Sequence, residues 1–278
     1  MKKLFKWPGG KSRELKIIKK LLPEDFDLVV EPFAGSAAVA FDLEKPCALN
    51  DLDQDVINMY NVIQDPVMFN AFYTKTLASK TLPFVGKMDP QRGSIPSLET
   101  EFYDQRDILN ERDFSDPVKM AYAFLIVRQL CFSGMLRHNK NTGRFNVPYG
   151  WYKKFAHNVT PEHHDFLSKA SIMCGDYKDC IKKYDVPGAW IFVDPPYRKR
   201  AGYPAEEWND ELHIELSETL KNCKHAKWML VHCEDDLYRE LYKDFSILTK
   251  DFNYSIAFRD RNVDARKVNH LYIVNYQV

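Results

Sequence analysis

The chain has 278 residues, of which 45% are hydrophobic and 28% are charged, enough apolar sequence for the core of one large domain or two smaller ones. Its 39 Lys and Arg balance its 39 Asp and Glu. A neutral chain is not attracted to nucleic acid by its net charge, so any contact with nucleic acid requires a local basic patch. The six Cys residues lack the paired C-x-x-C spacing of a zinc site, and neither a signal peptide nor a membrane-spanning run is recognisable, so we expect a cytoplasmic protein with reduced thiols and no metal.

Two stretches at opposite ends of the chain alternate strand and helix patterns, as is typical of βαβ units around a parallel sheet. In the first stretch, apolar runs predict strands at 27–33 and 46–50, and helical patterns follow at 36–43 and 53–63. In the second stretch, strands are predicted at 172–174, 190–193 and 227–232, with a closing edge strand at 270–276. These elements together predict an α/β fold.

The middle of the chain has a different character. A loop punctuated by Pro and Gly is predicted at 83–96, and a long apolar helix at 117–130. Beyond it, the turn sequence Asn141-Thr142-Gly143 separates 135–138 from 144–147 and predicts a β-hairpin. We therefore predict a discontinuous domain formed by 1–60 and 161–278, with a mostly helical domain inserted at 61–160.

Basic residues without an acidic neighbour occupy the part of this insert from 128 to 154. They are Arg128, Arg137, Lys140, Arg144, Lys153 and Lys154. Such a cluster is typical of a surface that binds nucleic acid, although a solvated basic face has the same composition.

The tetrapeptide Asp194-Pro195-Pro196-Tyr197 directly follows a predicted strand, at the end where open α/β sheets bind ligands. An exocyclic amine such as the N6 of adenine is a poor nucleophile because its lone pair is delocalised into the ring. The Asp194 carboxylate and the Pro195 carbonyl can accept hydrogen bonds from that amine and localise the lone pair for attack on a sulfonium methyl group, while Tyr197 can stack on the base. A stiff double-proline turn is the structural alternative.

Two further segments carry glycines beside polar or aromatic residues. In Glu31-Pro32-Phe33-Ala34-Gly35-Ser36, Gly35 permits the backbone to approach a ligand closely at a strand-to-helix turn, and Asp51 after the next strand is placed to bind ribose hydroxyls. A plain turn glycine and a helix-capping carboxylate are the alternatives. Near the N-terminus, Lys6-Trp7-Pro8-Gly9-Gly10-Lys11 predicts an irregular loop, or a frayed terminus whose Trp7 packs on the core.

In this order the motifs resemble those of the Dam-type (D12 class, group alpha) DNA adenine-N6 methyltransferases of bacteria and phages. The resemblance also includes Arg144-Phe145-Asn146-Val147-Pro148-Tyr149-Gly150 and covers nearly the whole chain. It implies a Rossmann-like, S-adenosylmethionine-dependent methyltransferase sheet of about seven strands with an antiparallel last strand. It further implies that the insert is a target-recognition domain that reads DNA with its β-hairpin.

The resemblance implies a role for each motif in methyl transfer to a flipped adenine of double-stranded DNA, with S-adenosylhomocysteine as product. Asp194, Pro195 and Tyr197 are the implied catalytic residues. The implied cofactor-binding residues are Trp7, Lys11, Glu31, Pro32, Phe33, Gly35, Ser36, Asp51, Asp176 and Asp194. Arg198, Lys199 and Arg200 are expected in a mobile loop over the flipped base, or in a solvated basic loop.

The implied DNA-binding residues lie in the insert and in the N-terminal loop. They are Lys6, Phe132, Ser133, Met135, Arg137, Asn139, Pro148, Tyr152 and Lys153. A bidentate contact of Arg137 with guanine implies a GATC-like target. The chain is expected to act as a monomer on DNA in the cytoplasm of a bacterium or a phage-infected cell, without a membrane or an obligate protein partner.

The tetrapeptide alone also fits other substrates with a planar amide or amine nitrogen, namely RNA, cytosine N4 or a protein glutamine. A binding module that has lost catalysis is the alternative from another class. The basic segment with Arg137 favours duplex DNA over these substrates, and the intact tetrapeptide favours an enzyme.

Overall fold

The computed structural model of the chain describes residues 1–82, 97–198, 208–253 and 267–278, with only the backbone described at 252, 253 and 267. The loop predicted at 83–96 and the basic residues Lys199 and Arg200 lie outside the described residues. The α-helices in the described part are α1 (Leu15–Lys20), α2 (Ala38–Leu43), α3 (Gln54–Gln64), α4 (Pro66–Ser79), α5 (Leu98–Glu111), α6 (Pro117–Leu130), α7 (Pro161–Leu167), α8 (Tyr177–Lys183), α9 (Asp210–Lys221) and α10 (Asp236–Leu241). None of them is long and apolar enough to cross a membrane.

One mixed sheet contains all seven strands of the described residues. They are β1 (Leu28–Glu31), β2 (Cys47–Asp51), β3 (Ser171–Cys174), β4 (Ala189–Val193), β5 (Lys227–Cys233), β6 (Ser246–Asn253) and β7 (Lys267–Val274). Their order is β3-β2-β1-β4-β5-β7-β6. The pairs β1–β2, β1–β4 and β4–β5 are parallel, whereas β7 is antiparallel to both β5 and β6. The predicted α/β, Rossmann-like sheet with an antiparallel last strand is confirmed.

The far edge of the sheet differs from the prediction. The closing strand was expected at the edge, but β7 lies between β5 and β6, and its residues from His270 to Val274 are at most 1% exposed. The edge strand is β6, which the sequence pattern did not predict. Its sequence carries Lys250 and Asp251 in succession, and charged residues are typical of edge strands but give a weak strand pattern.

Two compact units make up the chain. The first comprises 1–15, 35–44 and 53–174, and the second comprises 16–34, 45–52 and 175–278. The first unit is built around α6, which has the predicted bounds and is buried at every residue from Met120 to Leu130. Asp116 caps the helix by accepting a hydrogen bond from the amide of Lys119. A helix that is apolar on all sides belongs in a core, which explains its central place in this unit. The insertion of a separate recognition domain at 61–160 remains a prediction.

The core of the second unit lies along the central strands. Every residue of β4 is buried, and so are five consecutive residues of β5. Trp190 and Trp228 are fully buried on these strands, and the indole nitrogen of Trp228 donates to the carbonyl of Leu220 at 3.1 Å. Parallel strands covered on both faces read as continuous apolar runs, so these strands were predictable from sequence.

Candidate active site

The carboxyl ends of β1 and β2 are joined by Asn50 within the second unit. Asn50 is 0% exposed, and its side-chain nitrogen donates to the carbonyls of Pro32 and Gly175, both at 3.0 Å. The backbone carbonyl of Asn50 accepts a hydrogen bond from the backbone amide of Ala34 at 2.8 Å. Asn50 therefore sets the shape of the turn after β1. Asn50 was not among the predicted site residues, although a polar residue near the end of a buried strand was the available signal.

The candidate carboxylates at these strand ends differ in exposure. Glu31 is 3% exposed at the end of β1, and Asp51 is half-buried at the end of β2, where its carbonyl accepts from the amide of Gly175 at 3.1 Å. Asp176 is exposed and caps α8 through the amide of Lys178 at 2.8 Å. Its carboxylate also lies 3.3 Å from the ammonium of Lys178. Asp51 thus remains at the end of its strand as predicted, while Asp176 has a helix-capping role.

An aromatic wall, formed by Phe33, Tyr177 and Trp208, stands beside these strand ends. The ring of Phe33 stacks on Tyr177 with centroids 5.1 Å apart and meets Trp208 edge to face at 5.5 Å. Pro32, next to Phe33, is buried. Burial, reinforced by the nearby Glu215, raises the pKa of Tyr177, so its hydroxyl is neutral at physiological pH. Tyr177 and Trp208 were not among the predicted site residues, and a group of apolar rings of this kind is suited to contact with a planar ligand.

The tetrapeptide that was predicted to be catalytic follows β4, as expected. Asp194 is half-buried, Pro195 is buried, and Tyr197 is 8% exposed. The ring of Tyr197 lies 4.8 Å from that of His232 and 5.7 Å, edge to face, from that of His270. Tyr197 therefore packs against two histidines from β5 and β7.

Arg198, the next residue, anchors the tetrapeptide. Its backbone amide donates to Nε2 of His232 at 3.1 Å. Its guanidinium donates to Asp210, the first residue of α9, at 2.5 Å and to Asp235, the cap of α10, at 3.0 Å. Arg198 was expected in a mobile or solvated loop, but these ion pairs hold it between two helices. The hydrogen bond to Asp210 is the main reason that the pKa of Arg198 is raised.

In the first unit, Gly35 lies directly beneath the indole of Trp7. A Cβ at position 35 would lie 2.6 Å from Nε1 of Trp7, and Gly35 has a φ of +46°. The hydroxyl of Tyr60 donates to the carbonyl of Gly35 at 2.5 Å. The approach predicted at Gly35 was that of a ligand, whereas in the structure Trp7 lies against this glycine. Trp7 is half-buried and packed, as the alternative prediction for this loop had it.

The rest of the N-terminal loop is also ordered by contacts. Lys11 is 3% exposed, and its ammonium donates to the carbonyl of Gly9 at 2.8 Å. Ser36 is 2% exposed, and its Oγ lies 3.2 Å from the position that a Cβ on Gly10 would take. Gly10 therefore packs closely against Ser36.

The segment Phe132–Met135, which is predicted to contact DNA and is called the recognition segment below, begins with a short 3₁₀ helix over Phe132–Gly134. Phe132 is 49% exposed, and Ser133 is exposed with a φ of +54°. Beyond it, the two predicted hairpin arms pair antiparallel through the bridge His138–Phe145 and through backbone hydrogen bonds from the amide of Asn139 to the carbonyl of Arg144 and from the amide of Asn146 to the carbonyl of Arg137. Side-chain hydrogen bonds add to this backbone pairing.

Arg137 and Asn139 supply those side-chain bonds. Nε of Arg137 donates to Oδ1 of Asn146 at 2.8 Å, and Nη2 donates to the backbone carbonyl of Asn146 at 3.1 Å. Oδ1 of Asn139 accepts from the amides of Asn141 and Thr142 at 2.9 and 3.2 Å. Arg137 is exposed, so its guanidinium is held along one side while it faces solvent.

The remaining predicted DNA-binding residues divide by exposure. Pro148 and Lys153 are exposed, and Met135 is half-buried. The ammonium of Lys6 lies 3.6 Å from the ring centre of Tyr152 and donates to the carbonyl of Gln129 at 2.5 Å. Lys6 and Tyr152 thus form one cation–π pair.

The predicted basic patch loses one member. Arg128 is 1% exposed, because the helix that carries it is buried along that whole turn. The other five, Arg137, Lys140, Arg144, Lys153 and Lys154, are exposed. No cluster of His, Cys, Asp or Glu that could hold a metal ion occurs in the part of the chain that the structure describes.

The fold and the site define a Rossmann-like α/β enzyme whose polar motifs lie at the carboxyl ends of parallel strands. The chain belongs to the D12 class N6 adenine-specific DNA methyltransferase family, whose model matches residues 7–256. The family resemblance seen in the sequence is therefore confirmed.

Individual relatives agree with this family. The chain is 30% identical to the Type II methyltransferase M.CviBI of Paramecium bursaria Chlorella virus NC1A, over 99% of this chain and 100% of that protein. It is 28% identical to the Type II methyltransferase M.MjaIII of Methanocaldococcus jannaschii, over 89% and 90% of the two chains. It is 30% identical to a DNA adenine methylase of Serratia marcescens, over 69% and 66%.

Proposed function

We propose that the protein transfers a methyl group from S-adenosylmethionine to N6 of an adenine that is flipped out of a short, GATC-like duplex site. The observation that carries this proposal is the tetrapeptide at the end of β4, followed directly by the anchored Arg198. A carboxylate that must meet a small amine needs a rigid backbone, because misplacement by about 1 Å can cost about 100-fold in rate. We propose the cytoplasm of a bacterium or phage-infected cell as the place of action.

The second unit offers groups that fit the cofactor. Asp51 is a suitable acceptor for ribose hydroxyls, and Phe33 in the aromatic wall offers a flat apolar face. When bound, S-adenosylmethionine supplies an electrophilic methyl group on sulfur. Glu31, Pro32 and Asp176 stay in the proposed cofactor set, and so do Trp7, Lys11, Gly35 and Ser36 of the first unit.

Asp194 and Pro195 are the proposed catalytic residues. The carboxylate of Asp194 and the carbonyl of Pro195 accept hydrogen bonds from the adenine amino group, which concentrates its lone pair on nitrogen. Tyr197 is the proposed base-stacking residue, and its packing against His232 and His270 supports a rigid position for its ring.

Arg137 is the proposed reader of guanine. Two of its N–H groups are engaged by Asn146, which preorganises the exposed guanidinium for bidentate pairing in the major groove. Phe132, Ser133, Met135, Asn139 and Pro148 are proposed to contact bases nearby. The proposed phosphate and backbone contacts are Lys6, Tyr152 and Lys153, which position the duplex without specifying its sequence.

The test is methylation of an unmodified plasmid by the purified protein with S-adenosylmethionine, mapped by single-molecule sequencing. We expect N6-methyladenine confined to one short motif, no transfer by Asp194→Ala, and relaxed sequence preference in Arg137→Ala. Arg144→Ala is the matched control, because Arg144 is also exposed, lies on the opposite arm of the same hairpin and should affect only general affinity. Methylated RNA or protein with unmodified plasmid would overturn the proposal, as would full activity in Asp194→Ala.

A further inference from the structure

Arg128 is a buried charge in the first unit whose role the proposed function leaves open. It lies in the last turn of α6 and is 1% exposed. Burial of a guanidinium is unfavourable unless its N–H groups are satisfied. Its partners therefore show what this residue holds in place.

Those partners are carbonyls of two separate segments. Nε and Nη2 of Arg128 donate to the carbonyl of Lys6, each at 3.1 Å. Nη2 also donates to the carbonyl of Gly134, and Nη1 to that of Met135, both at 2.8 Å. A single planar guanidinium thus joins the N-terminal loop to the recognition segment.

The contacts of Arg128 continue toward Gly35, which belongs to the motif proposed to bind the cofactor. The guanidinium carbon of Arg128 lies 5.3 Å from the ring centre of Trp7, and the indole of Trp7 lies against Gly35. Lys6 adds a second tie, since its ammonium donates to the carbonyl of Gln129, the residue after Arg128. A displacement of the loop at Trp7 would therefore disturb the hydrogen bonds that hold Gly134 and Met135.

We propose that Arg128 is a positioning residue that couples cofactor binding to DNA recognition. This rests on the proposed function, in which the N-terminal loop meets the cofactor and the recognition segment meets DNA. Ordering of either segment by its ligand fixes the shared guanidinium, so the second ligand binds to a segment that is already ordered. The coupling is reciprocal, because each ligand must raise the affinity of the other by the same factor.

The test measures the dissociation constant of the target duplex with and without saturating S-adenosylhomocysteine. For the unaltered protein we expect S-adenosylhomocysteine to lower the dissociation constant of the duplex at least about fivefold, within the range typical of coupled sites. In Arg128→Lys the factor should fall below about twofold, because one ammonium lacks the rigid fork that reaches both segments. Arg112→Lys is the matched control, since Arg112 is a partly exposed arginine of the same unit paired with Asp55.

An unchanged factor in Arg128→Lys, or no coupling in the unaltered protein, overturns the inference. Failure of the proposed function is distinguishable, because it would appear as an unmethylated plasmid with the unaltered protein. If Arg128→Lys does not fold, hydrogen exchange of the unaltered protein decides. S-adenosylhomocysteine alone should slow amide exchange in a peptide covering 132–137, and protection restricted to the N-terminal loop would contradict the coupling.

Discussion

Gly35 and Gly9 both have left-handed backbone, but their surroundings differ. Gly9 has a φ of +75° and no atom within 4 Å of the position a Cβ would take, whereas at Gly35 that position is 2.6 Å from the indole of Trp7. Conformational strain is therefore shared by the two positions, and a steric clash is confined to Gly35. The pair separates the two reasons for which a chain requires glycine.

Gly35→Ala is expected to lower the free energy of unfolding by more than Gly9→Ala. The Gly9 substitution should cost about 1 kcal/mol from backbone strain alone, and the Gly35 substitution about 1–3 kcal/mol more, because the indole must move. Denaturant unfolding measures both values. A Trp7→Ala background should remove most of the extra cost, and equal losses at the two glycines would contradict the clash.

At the scale of elements, the tetrapeptide proposed to be catalytic is held by β5 and by two helix N-termini. Nδ1 of His232 donates to the carbonyl of Cys233 at 2.7 Å, which leaves Nε2 as the acceptor for the amide of Arg198. The ring of His232 also stacks on Tyr238 of α10, with centroids 3.7 Å apart. His232 is thus a positioning residue, fixed in one tautomer, for the turn after β4.

His232→Phe is expected to lower kcat by about 10- to 100-fold, because the turn loses its acceptor and the carboxylate of Asp194 shifts. The KM for the cofactor should change far less. His232→Gln offers an acceptor again and should restore part of kcat, which a purely space-filling role would not allow. Steady-state kinetics of the three proteins measure this, and equal kcat in the Phe and Gln variants would refute the role.

At the scale of the molecule, the zero net charge results from basic and acidic residues that lie on different surfaces. Five basic residues between 137 and 154 are exposed in the first unit. In the second unit, Glu211, Glu215 and Glu218 line one surface of α9. Charge of one sign is therefore concentrated locally, which reconciles a neutral chain with the proposed DNA contact.

The two units also contain buried groups whose titrations oppose each other. Burial, with Asp53 nearby and against the attraction of Arg112, raises the pKa of Asp55 from 3.8 to about 6. Burial lowers the pKa of His213 from 6.5 to about 4. The stabilisation that the raised pKa of Asp55 gives to the folded state is complete below pH 4 and is lost as pH rises through 6. The stabilisation that the lowered pKa of His213 gives is complete above pH 6.5 and is lost as pH falls through 4.

Between pH 4 and 6 the free energy of unfolding should therefore change little from these two groups together. When one group is removed, the pH dependence due to the other is no longer cancelled, and the free energy of unfolding changes by up to about 1.4 kcal/mol per pH unit. As pH rises from 4 to 6, the free energy of unfolding should increase in Asp55→Asn relative to the unaltered protein. In His213→Gln it should decrease relative to the unaltered protein. Denaturant unfolding at several pH values checks this, and three parallel curves would show that neither pKa is shifted.

Much of the fold and of the candidate site could be predicted because it depends on local sequence. Strand and helix patterns located α6 and the parallel strands, since burial on both faces leaves continuous apolar runs. The position of β7 inside the sheet could not be predicted, because a strand pattern does not reveal which neighbour will cover its second edge.

The sequence by itself determined the family, the order of the motifs and the residue types that the chemistry requires, since each motif is a short contiguous segment. Only the tertiary structure decided how those motifs are held. Asn50 bonds to Gly175, His232 to Arg198, and Arg128 to Lys6. These partners are far apart in the chain, and whether a polar side chain is buried depends on packing by distant elements, which no local pattern records.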